Sequence, residues 1–217
     1  MSAGRRAVVV LVVALLAVAT SCGIQADGAP RPLTVSTTTT LPRPTTTAGN
    51  TATALFVTRD GTVVPVTREL PDQQAQTVLD ALVGLRPPDV GVRGASNAVP
   101  SGTEVRSAVR TGARGGSVLA VDLSSRFDRV VGPSRQLAVA QLVMTATGLP
   151  GVQTVRFSID GSPVTVPTPE RGDAAEVTAC DVRSLLADPD SPESAGLSAR
   201  SAARLTERSD ALEQECR

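Results

Sequence analysis

Three cysteines, Cys22, Cys180 and Cys216, are the residues best suited to covalent chemistry in this chain. The usual activators of a nucleophile are missing: there is no His, and every basic residue is Arg. Without imidazole or amine there is no Ser-His, Cys-His or Ser-Lys pair, no Schiff-base chemistry and no imidazole metal site. The chain also lacks Trp and Tyr, the common stacking platforms for sugars and bases. Two carboxylates alone can hydrolyse a glycoside, but Asp60 and Asp160 each precede a glycine, where turn chemistry accounts for an acid. Asp122, just before Ser124-Ser125, is a candidate binding residue placed to cap or orient the SSRFD loop. Arg126, Arg129 and Arg135 gather around Phe127 and are candidates for holding an anionic polymer; solvated surface charge is the alternative. The formal net charge is zero, which gives no footprint for nucleic acid. Nothing in these patterns calls for a cofactor or a metal, and no enzymatic activity is expected.

Cys22 is set apart by what precedes it. Arg5-Arg6 and the apolar run Ala7–Ala19 have the form of a signal peptide. The run is shorter than the roughly 20 apolar residues of a membrane-spanning helix. Ala19-Thr20-Ser21-Cys22 then resembles the bacterial lipobox, although Ala19 stands where that motif more often has Leu. In such a motif the cysteine receives diacylglycerol and fatty acid such as palmitate, and becomes the new N-terminus. Residues 1–21 are thus expected to be a lipoprotein signal peptide, with Cys22 as the lipidation site and the membrane as a partner. An ordinary secretory signal is the alternative. A twin-arginine signal is not supported by the residues around Arg5-Arg6.

Residues 22–52 read as a tether. Its Thr/Pro tracts, such as VSTTTTLPRPTTT, cannot bury a core and favour extended conformations. At about 3.1 Å per residue the tether reaches roughly 80 Å. About 150 residues remain, enough for one domain with a real core.

The pattern over residues 53–168 must supply that core. Apolar runs flank Asp60-Gly61 and again Asp160-Gly161, each a hairpin signal because the turn needs positive φ. Pro65 marks the second run as an edge strand. Asp72 is a plausible N-cap for a helix carrying Ala75, Val78, Leu79, Leu82 and Leu85 at helical spacing. Leu119, Val121 and Leu123 alternate as in a half-buried strand. Pro133 opens a second helix, apolar almost all round from Leu137 to Ala146 and so deeply buried. The order is β-β-α-β-β-α-β-β, predicting an α+β two-layer sandwich with both helices on one face of a single sheet.

Five stretches carry a family resemblance: LFVTRDGTVVPVTREL, VLDALVGL, AVPSGTEVRSA, VLAVDLSSRFD and LAVAQLVMTATGLPGVQTVRFSIDGSPV. Together they resemble the GerMN domain, named from sporulation and spore-germination proteins and common in actinobacterial lipoproteins. The resemblance runs from about Leu55 to Val166. The stretch Gln136–Val164, with its Gly-Leu-Pro-Gly-Val and Asp-Gly-x-Pro-Val, is its most specific part. It implies a fold related to ring-building motifs of envelope assembly proteins, and it brings no catalytic residues. Two segments depart from it. LRPPDVGVRGASNA (Leu85–Ala98) replaces the usual Gly-Pro-Thr segment, and Ala179-Cys180-Asp181 stands where relatives often have an aromatic.

Residues 174–217 read as a helical extension. Val182, Leu185 and Leu186 are its docking residues; Ala202, Leu205, Ser209, Leu212 and Cys216 form a sparse helical stripe. With Cys22 spent on lipid, Cys180 and Cys216 are an even pair in an oxidising compartment, expected to form a disulfide. Two free thiols, or pairing between chains, are the alternatives. The expected function is a membrane-anchored, non-catalytic envelope lipoprotein whose domain binds a protein partner or itself. The alternative is a lipoprotein that holds peptidoglycan or a small envelope molecule.

Overall fold

The computed structural model describes residues 50–112 and 118–217. The signal peptide, Cys22, nearly all of the tether and most of the GARGG turn lie outside the described residues. Strands β1 (Thr51–Arg59) and β2 (Thr62–Leu70) pair antiparallel over their whole length. Their turn is the expected one: Asp60 and Gly61 have φ of 49° and 87°. Thr51 and Ala52, read as tether, already belong to β1.

Helix α1 (Ala75–Val83) buries Ala75, Val78, Leu79 and Leu82 of the expected stripe, while Leu85 lies beyond its end and is partly buried. It begins later than Asp72 suggests. The Asp72 carboxylate accepts from the Gln74 N–H at 2.9 Å, forming a turn ahead of the helix rather than capping it. A one-turn helix α2 (Pro87–Val90) and a two-residue strand β3 (Ala95–Ser96) follow. Both are too short to leave a periodic signature.

Strands β4 (Val105–Thr111) and β5 (Val118–Leu123) pair antiparallel, with Leu119, Val121 and Leu123 buried as their alternation predicts. Helix α3 (Gly132–Thr147) crosses over to β6 (Thr154–Ile159), which runs parallel to β5. Residues Ala138–Ala146 of α3 are all buried. Strand β7 (Ser162–Val164) turns back on β6 through Asp160-Gly161, with φ of 48° and 80°. Strands β8 (Val166–Thr168) and β9 (Gly172–Ala174) form a small hairpin, and β10 (Glu176–Thr178) joins β6 beside β7.

The α+β class is as read, but the strands do not share one sheet. The orders are β2-β1-β3, β10-β6-β5-β4 with β7 also on β6, and β8-β9. The reason lies at Phe56. Its cross-strand partner Pro65 has no N–H, so by alternation the Phe56 N–H and C=O turn away from β2. Two side chains of α3 take them. Thr145 Oγ1 accepts from the Phe56 N–H at 3.0 Å, and Gln141 Nε2 donates to the Phe56 C=O at 3.0 Å. A helix therefore occupies the edge where another strand would have to join.

The segment 174–217 is not wholly helical. Strand β10 lies within it, three residues being too few for a visible alternation. Two 3-10 segments (Ala179–Leu185 and Pro192–Ser194) lead to α4 (Ala199–Glu215). Val182 is buried, with Leu185 and Leu186 packed partly under the surface. In α4 the buried residues are Ser201, Leu205 and Leu212. Ala202 of the expected stripe is exposed, because the contacting face is centred one residue earlier. No helix among the described residues is long and apolar enough to cross a membrane.

Candidate functional site

Parallel pairing places Asp122 of β5 opposite Ser158 of β6. Its carboxylate accepts from the Ser158 hydroxyl at 2.7 Å and from the Gly161 N–H at 2.9 Å. Arg106 forms an ion pair with Asp160 at 2.8 Å in the same turn. Asp122 thus orients the Asp160-Gly161 turn rather than the SSRFD loop. Its side chain points across the sheet toward β6, not along the chain. The Gly161 bond, then the Ser158 bond and the positive charge of Arg106, hold its pKa below the ordinary aspartate value; burial opposes them.

A carboxylate more acidic in the folded than in the unfolded state stabilises the fold above the unfolded pKa, about 3.9. That contribution disappears as pH falls through the folded value. The Asp122→Asn protein is therefore expected to be the less stable at pH 7, with the difference shrinking below about pH 4. Chemical denaturation at both pH values reads this; a difference independent of pH would remove the electrostatic account.

The arginines separate. Arg135 donates to Asp128 Oδ1 at 3.2 Å and lies 5.2 Å from the centre of the Phe127 ring. It therefore staples the 3-10 turn Ser125–Arg129 to the start of α3. Arg126 lies against Gly102, and Arg129 is exposed. The four candidates do not converge on one site.

The free edges of the sheets are more informative, because an unpaired edge is a template for another chain. The inner edge of β1 is held at Phe56 by α3 and at Thr58–Arg59 by β3. The outer edge of β2 is covered by the C-terminal segment. The Val63 C=O accepts from the Ala187 N–H at 3.1 Å, and the Thr67 N–H donates to Ser201 Oγ at 3.2 Å. Pro65, between them, has no N–H to cover. A Cys180–Cys216 disulfide, with Cα atoms 5.5 Å apart, ties the end of α4 back to the domain. The edge of β4 is more open: among the described residues β4 pairs within its sheet only with β5, and α1 meets it at its start, where Gln76 Nε2 donates to the Val105 C=O at 2.9 Å. It has a register irregularity at Arg106, and Val109 on it is 56% exposed.

Sequence reasoning missed Gln141 and Thr145. Their signal was present: two polar residues four apart in an otherwise apolar helix. It also missed Arg208 on α4, which donates to Thr147 Oγ1 at 2.6 Å. Nothing in the sequence marks that arginine among the others.

Two solved structures are similar to the chain. The tandem GerMN domains of the sporulation protein GerM from Bacillus subtilis are 19% identical, with a TM-score of 0.50 over 61% of this chain and 47% of that one. The chain thus spans about half the length of that tandem structure. The first GerMN domain of the same protein is 19% identical, with a TM-score of 0.49 over 59% of this chain and 97% of that one. No curated protein matches the chain. The Germane family model, described as sporulation and spore germination, matches residues 51–165, from the first residue of β1 to the start of β8. That match spans more than half of the sequence, and the chain belongs to the Germane family.

Proposed function

We propose that this is an extracytoplasmic lipoprotein, anchored through lipid on Cys22, whose domain works without catalysis by binding an envelope protein at the edge of β4. The observation that carries the reading is that edge. The outer edge of β2 is engaged by the chain's own C-terminus and the inner edge of β1 is held at Phe56 and at Thr58–Arg59, while among the described residues β4 pairs on one side only and is met beyond its Val105 end by no hydrogen-bonding side chain. Strand addition to such an edge draws affinity from main-chain hydrogen bonds and specificity from alternate side chains. Strand β4 carries Arg106 and Arg110 and no acid, so an acidic strand suits it better than a second copy of itself. The anchor rests on the sequence before Cys22, and the absence of catalysis on the family and on the structural use of Asp122 and Asp160.

The test is a crosslinking pull-down from intact cells with a tagged chain, beside Cys22→Ala and Val109→Glu. The expected result is a defined protein captured by the wild type, lost in the mislocalised Cys22→Ala chain and strongly reduced by the added carboxylate at Val109. Capture unaffected by Val109→Glu overturns the edge. Glycan fragments without protein overturn the interaction reading in favour of ligand binding.

A further inference from the structure

A cleft of about 350 Å³ lies between the first half of β1, the C-terminal end of α3 and one face of α4. Its walls include Phe56, Leu149 and Ala211, and Ala52, Ala54 and Arg208 also line it. Two features make it more than a surface dent.

The first is backbone. The alternation that turns the Phe56 N–H and C=O away from β2 applies equally to Ala54 and Ala52. At Phe56 the groups are taken by α3, and at Thr58 the neighbour is β3. At Ala54 and Ala52 the same edge faces the cleft. The second feature is Arg208. Its guanidinium donates to Thr147 Oγ1, yet its Nε–H is buried with no acceptor. Among the described ion pairs none holds Arg208. Burial lowers its pKa from the ordinary guanidinium value, the Glu215 charge opposing. A half-buried guanidinium with one buried, unpartnered N–H gains when an anion joins it.

We infer that this cleft binds a short extended peptide by its free C-terminal carboxylate, the carboxylate against Arg208 and the peptide's amides on the Ala52–Ala54 edge. Edge pairing and carboxylate capture are each established modes of peptide recognition, and a charge-assisted bond to Arg is the stronger of the two. The walls also carry the Arg204–Glu207 ion pair, in which Arg204 neutralises the Glu207 carboxylate, and the apolar part formed by Phe56, Leu149 and Ala211 suits a small apolar side chain. The inference stands apart from the β4 reading and uses a different edge.

The experiment is a titration of the ¹⁵N-labelled full chain, in detergent, with a mixture of tripeptides bearing free carboxylates, then with the same mixture C-terminally amidated. The expected result is saturable movement of the Ala52 and Ala54 amide signals, weakened at least about tenfold by amidation. Arg208→Gln should produce the same loss. Ala54→Pro removes the N–H facing the cleft without touching the ladder to β2, so it should abolish binding while leaving the melting temperature nearly unchanged. Equal binding of the amidated mixture overturns the inference. So does an equal response to acetate alone, which reduces the site to a small-anion site, or no saturable response up to about 10 mM.

Discussion

Replacing both Cys180 and Cys216 by alanine will lower the melting temperature by roughly 10 °C, the largest effect expected of any exposed or half-buried pair in the domain. The two residues are separated by 36 positions. A cross-link of that span removes loop entropy from the unfolded chain worth about 4 kcal/mol in the chain-entropy account. Packing offers α4 little compensation, since only Ser201, Leu205 and Leu212 are buried along it. Without the bond the helix should detach from its C-terminal end, and the outer edge of β2, from Val63 to Thr67, loses its cover. Differential scanning calorimetry of the double variant beside the oxidised wild type measures the first effect. Concentration-dependent aggregation measures the second. A shift of only a degree or two would mean that α4 holds by its own contacts.

Gln141→Leu is the second large effect, and its size comes from what is left behind. Gln141 is fully buried. Its amide donates to the Phe56 C=O and accepts from the Ala98 N–H at 2.6 Å. Leucine fills similar space and supplies neither group, so the buried Phe56 C=O and the half-buried Ala98 N–H lose their partners. At up to about 1–3 kcal/mol each, the cost is at most about 2–6 kcal/mol. Urea denaturation reads it directly. Stability equal to wild type would show that the edge of β1 finds water or another partner, and that the helix does not close it.

These two predictions also mark what the sequence could and could not reveal. Local period made the hairpins legible: Asp60-Gly61 and Asp160-Gly161 announce their own turns, and the alternation Leu119-Val121-Leu123 its buried face. The stripe of α1 was equally local. The disulfide was legible from parity once Cys22 was set aside. The division of the strands was not, because it depends on a helix reaching β1 from 85 residues away. The partners of Asp122 were hidden for the same reason: Ser158 and Gly161 meet it only once β6 lies beside β5. The cleft at Arg208 joins three elements remote in the chain, and no single segment encodes it. Strand β10 failed to show for a simpler reason, its length.

The clasp of α3 on Phe56 also sets an order of events. Its two bonds join residues 85 and 89 apart. Contacts of that separation form late, because a long loop must close before they are made. The first hairpin is local and can form within microseconds. Throughout the interval its inner edge has neither strand nor helix beside it, and it is open to pairing with any other extended chain. The folding domain therefore has an early half that waits for a late one, and the crossover helix is the step that commits it to the native arrangement.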